Sequence, residues 1–176
     1  MEKKAVIFCS ASFDIDQAYN DAAALITSGL CKRGYTIVSG GTIKGTMCVV
    51  ADEVVRCGGK HIGVIPRFME SLVYPDLTET VWTETMSDRK EKMREGTCAA
   101  IALPGGIGTL DEMIETLTLA KLGKYSGKVI AFNMDGFYEP LKVLLDHYVS
   151  TGMLDSRSRE LISFPETVEA LLGKLD

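Results

Sequence analysis

Short apolar runs alternate along the chain with segments whose apolar residues recur every three or four positions. The first run covers residues 5–9. Ile15, Ala18, Tyr19, Ala22, Ile26 and Leu30 then repeat at the spacing of one helix face. Gly34 closes that helix, and residues 35–38 read as a second strand. Met47, Val50, Ala51, Val54 and Val55 mark a second helix ending at Gly58-Gly59, and a third strand at 61–65 is stopped by Pro66. Residues 67–79 carry no regular period. The pattern then predicts a short strand at 80–83, a charged helix at 87–95 and an apolar strand at 99–103. A helix ending at Leu122, a strand at 128–133, a helix at 138–150, and a short strand and helix after Arg159 complete it. Strict alternation of buried strands and amphipathic helices predicts an α/β fold, a parallel sheet with helices on both faces. No repeat, low-complexity stretch or linker interrupts the pattern, so residues 1–176 are expected to form a single domain.

The placement of glycine narrows the ligand. A dinucleotide-binding fold would carry G-x-G-x-x-G after its first strand, but here that turn is Cys9-Ser10-Ala11-Ser12-Phe13, with no glycine. Glycines follow the second strand instead, as Gly40-Gly41 and Gly45, and the 99–103 strand, as Pro104-Gly105-Gly106-Ile107-Gly108-Thr109. In an open parallel sheet both loops lie on the carboxyl edge, where ligands bind. A strand, a glycine turn and a helix start make a phosphate cradle, because free backbone N–H groups and the positive end of the helix dipole converge there. Glu112 sits in the first turn of that helix, where a carboxylate would oppose the positive field unless it acts on the ligand.

Composition excludes several classes. Nineteen basic against 24 acidic side chains give a net charge of -5, which argues against a general nucleic-acid or membrane-surface binder. No apolar run is long enough to span a bilayer and the N-terminal segment lacks a signal-peptide core, so a cytoplasmic location is expected. Five widely spaced cysteines, no C-x-x-C pair and only His61 and His147 speak against a metal site or a disulfide framework. The cysteines are expected to be small core residues. No cofactor is required by any motif.

The charged helix has an unusual face. At about 100° per residue, Met86, Arg89, Lys90, Met93 and Thr97 share one side, while Asp88, Glu91, Lys92, Arg94 and Glu95 populate the rest. The two methionines direct that side inward. Buried positive charge is costly unless an anion meets it, and Glu112 or a ligand phosphate would serve.

Met86-x-x-Arg89-Lys90 followed by Pro104-Gly-Gly-x-Gly-Thr-x-x-Glu112 resembles the paired signature of the Lonely Guy family, cytokinin riboside 5′-monophosphate phosphoribohydrolases often labelled lysine decarboxylases. The resemblance extends to Gly40-Gly41 with Gly45-Thr46-Met47, to Gly63-Val64-Ile65-Pro66, and to Asn133 with Gly136-Phe137-Tyr138. It implies a Rossmann-like domain, usually a homodimer, that hydrolyses a nucleoside 5′-monophosphate to free base and ribose 5-phosphate. The catalytic pair implied is Arg89 and Glu112; the implied phosphate and substrate contacts are Gly105, Gly106, Gly108 and Thr109, with Met86, Lys90, Gly41 and Gly45 around them. Family members commonly carry Cys-Gly-Ser-Ser where this chain has Cys9-Ser10-Ala11-Ser12, a difference that bears on the base.

Chemically, cleavage of a ribosyl C1′–N bond passes through a cation-like sugar that a carboxylate stabilises. The helix start and Arg89 are both expected to favour ionised Glu112. Phosphate binding would supply remote binding energy. Tyr125, Phe132, Phe137, Tyr138 and Trp82 read first as core and second as a base pocket. A non-catalytic nucleotide-binding module is the alternative, against which the presence of both Arg89 and Glu112 counts. No setting singles out a Schiff-base lysine.

Overall fold

The computed structural model describes residues 2–176. Seven strands run in parallel: β1 Lys3–Phe8, β2 Tyr35–Ser39, β3 His61–Pro66, β4 Glu79–Thr83, β5 Ala99–Ala102, β6 Lys128–Ala131 and β7 Ile162–Ser163. They are ordered β4-β3-β2-β1-β5-β6-β7. The helices are α1 Gln17–Lys32, α2 Gly45–Arg56, α3 Met86–Arg94, α4 Ile107–Lys121, α5 Glu139–Ser150, and the short α6 Ser156–Arg159 and α7 Val168–Gly173. The aperiodic stretch holds a 3-10 segment, Arg67–Leu72, tied to the loop after β2 by an antiparallel bridge between Thr42 and Val73.

The alternation seen in the sequence becomes two cores. Ile7, Ile37 and Ile101 point to one face, where they pack with Ile26, Leu30 and Val50 of α1 and α2 and Leu171 of α7. Val6, Phe8, Val38 and Val64 point to the other, against Met93, Met113, Leu117 and Leu145 of α3, α4 and α5. Strands buried on both faces read as continuous apolar runs, which is why period 2 is absent from them. Helix starts follow local chemistry: the Asp16 Oδ1 accepts the Ala18 N–H at 2.9 Å and the Thr85 Oγ1 accepts the Asp88 N–H at 3.1 Å. Gly34, at φ +76°, ends α1.

One expectation about the core is corrected. Of the five cysteines only Cys9 is buried; Cys31, Cys48 and Cys57 are half-buried and Cys98 is exposed. The last four lie at helix surfaces and at the entry to β5, where an apolar neighbour in sequence does not mean an apolar neighbour in space.

Candidate active site

The chain leaves β1 outward through β2, β3 and β4, then returns to lay β5 on the other side of β1. The strand order therefore reverses between β1 and β5, and their following loops diverge to leave a crevice at the carboxyl edge. A cleft of about 410 Å³ lies there, within the size range of small-molecule sites. Residues 9–12 form one wall, residues 106–109 the other, and Arg89 and Glu112 reach it from α3 and α4.

The α4 start has the features of an anion cradle. No side chain caps it, as is also true of α2 and α5, whereas α1, α3, α6 and α7 are capped by an Asp or Thr. Of the uncapped starts, α4 alone lines the cleft with its N-cap and consecutive residues of its first turn. Its first N–H groups are therefore free for a ligand. A Cβ added at Gly106 or Gly108 would meet nothing within 4 Å, so packing does not explain these two glycines, and their backbone is open to the cleft. Gly105 is different. A Cβ there would come within 2.3 Å of the Thr109 Oγ1, and Gly105 lets the buried Thr109 tuck beneath the loop.

Arg89 is only 6% exposed. Its Nε donates to the Val64 carbonyl at 2.9 Å and its Nη2 to the Gly40 carbonyl at 3.1 Å. Two backbone acceptors from different strand ends fix the plane of the guanidinium. They do not neutralise it, and burial lowers its pKa from the ordinary arginine value. Arg89 and Glu112 make no direct ion pair among the described residues, yet each feels the other's charge. The expected Arg89–Glu112 partnership is thus electrostatic, with the cleft between.

Glu112 corrects a second expectation. Its carboxylate makes no hydrogen bond to a described residue, and burial pushes its pKa up to about 7 against the opposing pull of Arg89. Neighbouring Asp111 raises it further, while Lys90 and Arg94 lower it. The first turn of α4 holds no acidic residue, so Glu112 sits one turn further in than its sequence position suggests, and desolvation outweighs the arginine: the group is poised near neutrality instead of being held ionised. A carboxyl group of this kind can both give and take a proton at neutral pH.

Of the remaining expected residues, Met86 and Lys90 line the cleft. Lys90 is held by the Asp111 Oδ2 at 2.9 Å and by Glu115, and these partners raise its pKa, the opposite of what a Schiff-base lysine needs. Gly41 and Gly45 do not line the cleft. Gly41, at φ +65°, lies against the backbone of Gly63, and Gly45, at φ +52°, against the carbonyls of Ser10 and Ser12. Gly40 does line it, and a Cβ there would come within 2.2 Å of the Arg89 Nη2. Its adjacency to Gly41 was the only sequence signal.

None of Tyr125, Phe132, Phe137, Tyr138 or Trp82 lines the cleft. Phe132 and Tyr138 are buried in the two cores, Phe137 packs edge-on against Tyr19 and Tyr138, and Trp82 lies under Arg67. Much of the apolar lining comes instead from Met47 of α2, Met69 of the 3-10 segment, and Met86 and Met93 of α3, three segments of which only the last has its lining residues linked by helical periodicity. Arg94, assigned from the helical wheel to an outer position, is 8% exposed and bonded to the Glu115 Oε1 at 2.7 Å.

Comparison with known proteins agrees with this geometry. The family profile described as "Possible lysine decarboxylase" matches residues 47–175. A relative from Oryza sativa subsp. japonica, named "Probable cytokinin riboside 5′-monophosphate phosphoribohydrolase", is 37% identical over 99% of this chain and 83% of its own length. A cytokinin riboside 5′-monophosphate phosphoribohydrolase of Arabidopsis thaliana is 32% identical over the same shares. Among solved structures, the molybdenum cofactor carrier protein from Chlamydomonas reinhardtii superposes with a TM-score of 0.75 at 17% identity, over 99% of this chain and 96% of that one, a likeness of fold. The Rossmann-like sheet, the paired Arg89 and Glu112 signature and the full-length similarity converge: the chain belongs to the Lonely Guy family of cytokinin riboside 5′-monophosphate phosphoribohydrolases.

Proposed function

We propose that this chain hydrolyses the N-glycosidic bond of a nucleoside 5′-monophosphate, a cytokinin riboside monophosphate or an AMP-like nucleotide, to free base and ribose 5-phosphate. One observation carries the reading: a carboxyl group poised near pH 7 and a backbone-fixed guanidinium share one cleft with an uncapped, glycine-lined helix start. A module that only bound a nucleotide would gain nothing from burying Glu112 beside its phosphate loop. The names of the relatives support the same chemistry.

In this reading the 5′-phosphate sits on the N–H groups at 106–109 and delivers binding energy to the sugar. The ribosyl cation forms beside Glu112, whose carboxylate form stabilises it and takes a proton from the attacking water. The same pKa allows the protonated form to return that proton to the departing base. Arg89 keeps a positive charge on the cleft wall and limits how far burial raises Glu112. The four methionines present a polarizable apolar surface to the base.

The reading extends to one domain over the whole chain, to a homodimer and to the cytoplasm. Exposed Leu110, outside the cleft, and the outward part of Ile107 at its rim place apolar surface at the start of α4, which supports association. No helix of the described residues is long and apolar enough to cross a membrane. Incubating the protein with a panel of nucleoside monophosphates and following free base and ribose 5-phosphate tests the activity, and light scattering tests the dimer.

A further inference from the structure

The peptide unit between Gly40 and Gly41 is held at both ends. Its carbonyl accepts from the Arg89 Nη2 at 3.1 Å, and its N–H donates to the Ser39 Oγ at 3.1 Å. Ser39 is fully buried, and its Oγ lies 2.7 Å from the Nε2 of His61, itself 1% exposed. Because Ser39 Oγ already accepts from Gly41, its own hydrogen is free to go to His61 Nε2, which places the ring proton on Nδ1. That tautomer leaves only Nδ1 without a partner, whereas the other would also orphan the Ser39 hydroxyl hydrogen.

Such a clamp has a reason to exist at this position. A peptide joining two glycines meets no Cβ barrier to rotation, and Gly41 already occupies φ +65°. A flip of this unit would present an N–H instead of a carbonyl to the Arg89 guanidinium. One of the two bonds that fix Arg89 would then be replaced by a repulsive contact.

We propose that Ser39 and His61 are positioning residues for Arg89: the His61–Ser39 pair locks the Gly40–Gly41 peptide with its carbonyl toward the guanidinium. His61 lies outside the cleft lining and acts three hydrogen bonds away from the residue it serves. The catalytic consequence rests on the function proposed above; the orientation of Arg89 does not.

The test therefore has two readouts. In ¹⁵N-labelled protein the Arg89 Nε–H signal, identified by its loss in Arg89→Lys, reports hydrogen exchange at that one group. Ser39→Ala and His61→Leu are expected to speed this exchange about tenfold while core amides such as that of Ile101 keep their protection. His61→Gln, which keeps an acceptor for the Ser39 hydroxyl, should return it to within about twofold of the unmodified protein. In the same variants kcat/KM for AMP or the best nucleotide of the panel should fall about tenfold and recover with His61→Gln. Unchanged Arg89 exchange in both Ser39→Ala and His61→Leu would overturn the proposal, as would a uniform loss of protection across the core. If the unmodified protein cleaves no nucleotide, the functional reading fails, and the exchange rates still decide the role of the clamp.

Discussion

The Arg89 Nη2 lies 3.1 Å from the Gly40 carbonyl and occupies the space that a side chain at position 40 would need. Glycine at 40 is therefore a requirement of the arginine, not of the backbone. Its φ lies outside the left-handed region, so alanine can adopt the local conformation. Gly40→Ala is expected to leave the protein folded, with a melting temperature within a few degrees, and to lower kcat/KM by about a hundredfold through displacement of Arg89. Gly108→Ala, with open space around its added methyl, should instead raise KM for the phosphorylated substrate and leave unphosphorylated nucleosides as poor as before. Steady-state kinetics on both variants separate the two glycine roles.

Glu112→Gln should lower turnover by at least about a thousandfold if the carboxylate meets the ribosyl cation. It should also stabilise the protein, in a pH-dependent way. A carboxyl group whose folded pKa is raised to about 7, above its ordinary 4.5, favours the folded state only while protonated. Its contribution is complete below pH 4.5 and is lost as pH rises through 7. Thermal melts should accordingly show Glu112→Gln several degrees more stable than the unmodified protein at pH 8 and equal to it at pH 4. Equal melting curves at pH 8 would mean that burial does not perturb Glu112.

Removing Arg89 takes away the positive charge that opposes that rise. For Arg89→Ala the acid limb of the kcat/KM profile should move to higher pH, alongside a loss of about a hundredfold or more in rate at the optimum. Arg89→Lys keeps the charge but cannot reach two carbonyls with one planar fork. It should restore the position of the limb and little of the rate.

Glu115 joins α3 to α4 by accepting from both Lys90 and Arg94. The Arg94 Nη1 is buried with no partner, so Glu115 is the counter-charge on which that side chain depends. Glu115→Gln is expected to cost about 1–2 kcal/mol of stability in urea unfolding, between a surface and a fully buried pair because Glu115 is about a third exposed. Because Glu115 lies outside the cleft lining, kcat should change less than about threefold under folded conditions.

Much of this was legible in the chain itself, and what was not has physical causes. The run from Ala99 and the glycines after it announced a buried strand feeding a glycine-lined helix start because both are local patterns. Arg89 stood out because its helix face also carried Met93. The polarity of Glu112 was misjudged because sequence shows nearby charges but not desolvation, which here is the larger effect. Arg94 shows the limit of a helical wheel on a short helix: α3 meets α4 near its C-terminal end, so a residue on the outer side becomes buried there. The methionine lining is legible only in part: Met86 and Met93 share one face of α3, whereas Met47 and Met69 come from two other segments that only the topology brings to it. Gly41 and Gly45 have the same spacing signal as ligand-binding glycines, and only three dimensions show that they serve backbone packing.

The central claim is that Glu112, above a phosphate held at the start of α4, drives release of a base from a nucleoside 5′-monophosphate. The most direct measurement pairs the unmodified protein with Glu112→Gln on AMP, N6-modified adenine riboside monophosphates and the matching unphosphorylated nucleosides, following base and ribose 5-phosphate together. The account predicts equimolar release from at least one monophosphate, little from its nucleoside, and loss of both products in Glu112→Gln with nucleotide binding retained. Binding of every monophosphate without release, or equal release by Glu112→Gln, would contradict it.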